Sequence, residues 1–202
     1  MTGVSPVADQ SWKMLGDRVR GRKCGSCTLC CTLVPVELSP IELKPSNVRC
    51  RFLSTAKRCT IYTTRPRPCE DWSCKWLFDE ETAQLRRPDL GGYIIDPVLD
   101  TLLINDEPCD VVQVWIDPAR PHAHRAPELR DYLGRIAARI GIPAIVRRSQ
   151  AQNDSVVLLA PALTLAGWVE RDGTHVDEAA FGRLVDKVRP GGRYTTEDEE
   201  IV

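Results

Sequence analysis

Eight of the nine cysteines in this 202-residue chain, Cys24, Cys27, Cys30, Cys31, Cys50, Cys59, Cys69 and Cys74, fall between residues 24 and 74. Four of them stand in the eight-residue stretch CGSCTLCC, and only Cys109 lies elsewhere. A segment so rich in thiols has few aliphatic residues for a core, so ligation or crosslinking has to replace part of it. Compartment decides between the two. The opening MTGVSPVADQSWKMLGDRVRGRK has no apolar run of signal-peptide length, and no later stretch approaches the ~20 apolar residues of a membrane span. The expectation is a cytoplasmic protein whose thiols are kept reduced, and the odd cysteine count agrees. The cysteines therefore read as metal ligands or redox groups before they read as disulfides.

Two thiolates spaced C-x2-C on a turn can reach one metal, and that spacing occurs twice in succession, from Cys24 to Cys27 and from Cys27 to Cys30. Cys31 does not readily join Cys30 on one tetrahedral ion, because adjacent side chains diverge. It serves a second centre or stays a free thiol. Eight thiols permit two closed four-thiolate zinc sites, and equally permit one iron–sulfur cluster, for example 4Fe–4S, with supporting cysteines. In ferredoxin-type clusters the remote cysteine commonly precedes a proline, whereas here Pro68 precedes Cys69. The spacing C-x3-C-x2-C of radical enzymes is absent. Zinc and iron–sulfur both remain open on these residues.

The order Cys24-x2-Cys27-x2-Cys30-Cys31, Val36 to Leu38, Cys50, Cys59-x-Ile61-Tyr62, Arg65-Pro66, Cys69 and Cys74 resembles the CxxCxxCC family, also called YkgJ-like cysteine-cluster proteins. All eight family cysteines are matched, as is the stretch CTIYTTRPRPC; the resemblance covers roughly residues 20–78. It implies a zinc- or iron-chelating domain. One departure is the acidic CEDWSC, where the family often carries Arg and an aromatic residue. The family includes a flagellin lysine N-methylase branch of much longer chains, an activity not carried over to a sequence with no motif for S-adenosylmethionine. Arg65 and Arg67 are placed to lower thiolate pKa values and offset the charge of a thiolate site. Trp72 and Trp76 would shield a metal or simply fill core, and core is the better reading.

The rest of the chain divides around this block. Residues 1–20 read as a lead-in with a short helix around Trp12 to Val19, 21–80 as the cysteine-cluster module, 89–190 as an α+β region, and 191–202 as an acidic tail. LSPIELKP predicts a short helix with Ser39 as N-cap, Pro40 at the first position, Glu42 three after the cap and Pro45 as stop. A second helical turn is expected across CEDWSCKWLFD. Beyond Asp89, GGYIID, TLLIND and VVQVWID read as strands of an antiparallel β-meander, followed by strands IPAIVRR and SVVLLAP. APELRDYLGRIAARIG sets Leu129, Tyr132, Leu133, Ile136, Ala137 and Ile140 on one helical face, with Gly141 as C-cap. VDEAAFGRLVDKV reads as a last helix. The fold class is α+β: a cysteine-rich, metal-organised N-terminal module plus an antiparallel meander with one or two helices.

Other candidate sites carry less. His122 and His124 in PHAHR form a His-x-His pair, read as a surface loop rather than a metal site. Cys109 in NDEPCD is flanked by Glu107 and Asp110, which would blunt its reactivity. DLGG is too short for a phosphate loop. A net charge of -1 gives no general attraction to nucleic acid or to an anionic membrane. Two function classes follow: a binding module that holds a metal ion or cluster to organise structure, chelate, or present a surface to a protein partner, and an iron–sulfur redox enzyme or electron-transfer protein. The lack of an acid–base or cofactor motif favours the first.

Overall fold

The computed structural model describes residues 18–172 apart from 40–41, 57–58, 105–106 and 150–153. The acidic tail, the expected last helix and most of the lead-in lie outside the described residues. As its composition requires, the cysteine-bearing stretch forms only short elements: helix α1 (Cys30–Leu33), strands β1 (Val36–Ser39) and β2 (Glu42–Lys44), and helix α2 (Arg67–Asp71), with 3-10 turns at Tyr62–Thr64, Lys75–Leu77 and Glu80–Thr82.

The helix expected over LSPIELKP is not formed. β1 and β2 instead pair antiparallel, Val36 opposite Lys44 and Glu37 opposite Leu43, with an irregular register towards Ser39. A helix of a few residues between two prolines cannot recover its nucleation cost, whereas a hairpin can dock on its neighbours. The helical turn expected over CEDWSCKWLFD is split in two. Trp72 is extended (φ -97°, ψ 136°) and ends α2, and the 3-10 turn begins after Cys74.

Downstream, α3 (Pro88–Gly91) closes on Gly92 at φ +77°, where an added Cβ would stand 2.6 Å from the Arg120 Cδ. Gly92 hands the chain to a six-stranded mixed sheet of β3 (Tyr93–Ile95), β4 (Asp100–Ile104), β5 (Glu107–Ile116), β6 (Ala144–Arg147), β7 (Ser155–Leu159) and β8 (Val169–Asp172). The expected purely antiparallel meander is corrected at two places. β3 and β4 share one edge of the long β5, β4 along Glu107–Val111 and β3 along Val114–Ile116. The other edge of β5 pairs parallel with β6, Val112 opposite Ala144 through Trp115 opposite Arg147. Parallel neighbours need a crossover, and the helix α4 (Pro127–Ile140) supplies it. β6, β7 and β8 then continue antiparallel.

Strand alternation sorts the layers. Tyr93, Ile95, Val114 and Ile116 pack with Leu129, Tyr132, Leu133 and Ile136 of α4. Ile94 and Trp115 face the other way, into a cluster with Leu33 and Val34, against which Leu29, Cys30, Trp72 and Cys74 pack. The cysteine-bearing stretch thus lies on the sheet face opposite α4. Asp96 ties the two together: it is 8% exposed and accepts from Trp72 Nε1 (3.3 Å), Trp115 Nε1 (3.3 Å), Gln113 Nε2 (3.2 Å) and the Val98 amide (3.1 Å). Among the described residues no helix is long and apolar enough to cross a membrane.

Candidate metal centre

CGSCTLCC becomes a turn leading into a helix. Gly25 at φ +55° permits a tight bend in which the Cys27 amide donates to the Cys24 carbonyl at 2.8 Å, so both side chains leave one turn. Helix α1 starts at Cys30, and its buried Leu33 anchors it on Ile94 and Trp115. That docking brings Cys30 against the same apolar cluster as Cys74. Cys31, one residue on, belongs elsewhere. Its carbonyl accepts the Cys50 amide at 2.8 Å, the Cys50 carbonyl accepts the Leu53 amide at 3.0 Å, and Leu53 forms an isolated antiparallel bridge with Cys59. Cys69 is carried by α2, which packs beside β1.

All nine cysteines are free thiols, and the eight expected ligands come into mutual electrostatic range in two neighbourhoods. Cys74 feels Cys24 and Cys27, and Cys30 feels Cys74 and Cys27. Cys69 feels Cys31, Cys50 and Cys59. The two neighbourhoods touch where the Cys30 and Cys31 thiols hydrogen-bond to each other. Burial pushes the Cys74 thiol up to about 12 and raises Cys27 and Cys69 as well. Donation to Cys31 raises Cys30, and the same bond lowers Cys31 to about 7, helped by the charges of Lys44 and Arg65.

Lys44 is the residue beside the thiols that sequence reasoning missed. It is 5% exposed, and its Nζ donates to the carbonyls of Thr32 (3.1 Å), Pro45 (2.9 Å) and Val48 (3.0 Å). Burial lowers its pKa, while Cys50, Cys31, Cys30 and Cys69 act to hold it charged. The signal was the inversion along Glu42-Leu43-Lys44, where Leu43 is 54% exposed and the lysine points in. Read as helix, the segment hides that alternation.

The two arginines separate. Arg65 stacks its guanidinium 4.1 Å over the Tyr62 ring and faces Cys31 and Cys69; its Nε is buried without a hydrogen-bond partner. Arg67 turns outward and donates to Asp71 at 3.1 Å, an exposed pair. Beside Cys27 stands Asp89, which is bound by Arg87 Nε (2.6 Å) and Nη2 (2.8 Å), while Arg87 also reaches Ser26 Oγ at 3.2 Å. Trp72 lies between Asp96 and the cluster that holds Cys30 and Cys74, and Trp76 packs into the main core and donates to the Leu85 carbonyl at 3.1 Å.

Among the described residues no three His, Cys, Asp or Glu side chains already stand in a metal-holding arrangement. The donor set nonetheless suits a thiophilic metal, because sulfur ligands dominate and two cations, unpaired with any carboxylate among the described residues, face the thiols. Those residues would be the ligands, and a metal bound there would supply charge that holds the thiolates together. Outside the cluster, Cys109 is buried in β5 with Ala137, Val157 and Leu159, as core. The surface-loop reading of PHAHR holds for His122 but not for His124, which is 1% exposed and meets Glu170 at 3.5 Å. Glu170 also receives Arg125 at 2.8 Å, which explains why the loop is pinned. The chain matches no family model, no curated protein and no solved structure.

Proposed function

We propose that this is a metal-binding protein in which Cys24, Cys27, Cys30, Cys31, Cys50, Cys59, Cys69 and Cys74 hold zinc or an iron–sulfur cluster, as a structural or chelating centre that organises the N-terminal module. The observation that supports it is the gathering of these eight thiols into two touching neighbourhoods, with the buried Lys44 ammonium facing Cys50, Cys31, Cys30 and Cys69, while Cys109 is left in the sheet core. A buried cation is costly unless opposite charge faces it, and metal-held thiolates provide that charge. The likeness of residues 20–78 to the CxxCxxCC family supports the same reading, and a reducing, cytoplasmic setting is part of it. A protein partner for the module is compatible with the proposal, which needs neither nucleic acid nor membrane.

The test is metal and acid-labile sulfide analysis, with a visible spectrum, on protein purified without oxygen or chelator. Iron with matching sulfide and a brown chromophore assigns a cluster. Zinc with no chromophore assigns thiolate sites. Absence of stoichiometric metal overturns the proposal.

A further inference from the structure

The eight thiols are not one undivided pool, and their surroundings differ. Cys24 and Cys27 are joined by their 2.8 Å turn bond, Cys30 and Cys74 by a shared apolar cluster, and the two pairs stand within electrostatic range of each other. This group runs out to the surface, because Cys24 is exposed. The nearby charges, Arg87 and Asp89, neutralise each other in a bidentate pair. Cys31, Cys50 and Cys59 are joined by consecutive backbone contacts, and Cys69 completes their neighbourhood from α2. Cys24 of the first group is the only exposed member of the eight, and none of the second group is. Facing the second group are Lys44 and Arg65, neither bound to a carboxylate among the described residues.

A divalent ion in four thiolates is a doubly negative unit, so cations beside it stabilise the loaded state while a self-neutralised pair does not. Resting on the metal-binding reading above, we infer that the chain builds two adjoining four-thiolate centres, one on Cys24, Cys27, Cys30 and Cys74 and the other on Cys31, Cys50, Cys59 and Cys69. The second, compensated by Lys44 and Arg65, retains its metal; the first, open at Cys24, exchanges it. Cys30 and Cys31, adjacent in sequence, form the wall between them.

Zinc-loaded full-length protein, challenged with excess chromophoric chelator, tests this directly. About two zinc ions per chain leave in two phases of equal size, separated by roughly tenfold or more in rate. Cys24→Ser abolishes the fast phase and keeps the slow one. Arg65→Gln, in which Arg65 acts as a positioning charge, speeds the slow phase by about 10–100-fold at unchanged zinc content, and Arg65→Lys restores it. A single phase, or loss of both ions in Cys24→Ser, overturns the two centres. Should that variant fail to fold, cadmium-113 resonance of the wild-type protein decides: two four-thiolate signals support the division, and one signal or mixed-ligand shifts overturn it. One iron–sulfur cluster in the native protein also overturns it while upholding metal binding, and a metal-free native protein removes the reading on which it rests.

Discussion

At Lys44 three main-chain carbonyls and a set of thiols share one buried ammonium. Replacing it by Met in the metal-loaded protein leaves the Thr32, Pro45 and Val48 carbonyls without that donor, so unfolding free energy should fall by about 1–3 kcal/mol, as read from urea denaturation. His124 presents the opposite case, a buried imidazole kept neutral. Burial lowers its pKa below the ordinary 6.5, although Glu170 pulls it up; Arg125 and Arg148 push the same way as burial. The unfolded chain then binds the proton more readily than the native one. The stabilisation is present above pH 6.5 and drains as pH falls through the lowered value. Urea midpoints measured at about pH 7.5 and about pH 5.5 should therefore differ more for wild-type protein than for His124→Asn. An equal difference would show that His124 has no part in it.

Helix α4 covers one face of the sheet with Leu129, Tyr132, Leu133 and Ile136, each at most 4% exposed. Leu129→Ala should cost about 2–5 kcal/mol by leaving a cavity under the helix, and Tyr132→Phe about 1 kcal/mol by losing the 3.1 Å bond to Asp79. Thermal melts of both variants check the order. This helix was legible because its apolar face recurs over fourteen residues and ends in Gly141 at φ +71°; only Ile140, 52% exposed, leaves the expected face. β5, β6 and β7 were legible from their Val and Ile runs. The parallel pairing of β5 with β6 was not, because the strand pattern alone is the same for either direction and only the intervening helix selects it. β8, as Val-Glu-Arg-Asp, gave no apolar run to read. Cysteine spacing identified the ligand candidates and the break at Cys31, but spacing carries no information about Lys44, whose inward turn depends on a hairpin hidden behind two prolines.

Across the whole molecule the apolar core is unevenly shared. The main cluster draws all its fully packed members from Leu85 to Leu158, none from the cysteine-bearing stretch. Among the described residues that stretch contributes only Leu33, Val34 and Leu77 to the buried aliphatics, the first two docked on Ile94 and Trp115. Burying such side chains yields about 1.5–3 kcal/mol each, so the stretch has little apolar stabilisation of its own. Structural zinc in small peptides supplies about 10–16 kcal/mol of folding free energy, more than these few apolar contacts supply together. Stripping the metal at neutral pH should therefore unfold the module and spare the sheet. Hydrogen exchange would register it as lost protection for the Cys27, Cys31, Cys50 and Cys69 amides, all hydrogen-bonded in the fold, with β5, β6 and β7 still protected. Uniform loss would mean that the Asp96 bridge to Trp72 and Trp115 couples the layers into one cooperative unit. Uniform retention would mean that the module folds without metal, which the shortage of apolar contacts on its side of the sheet argues against.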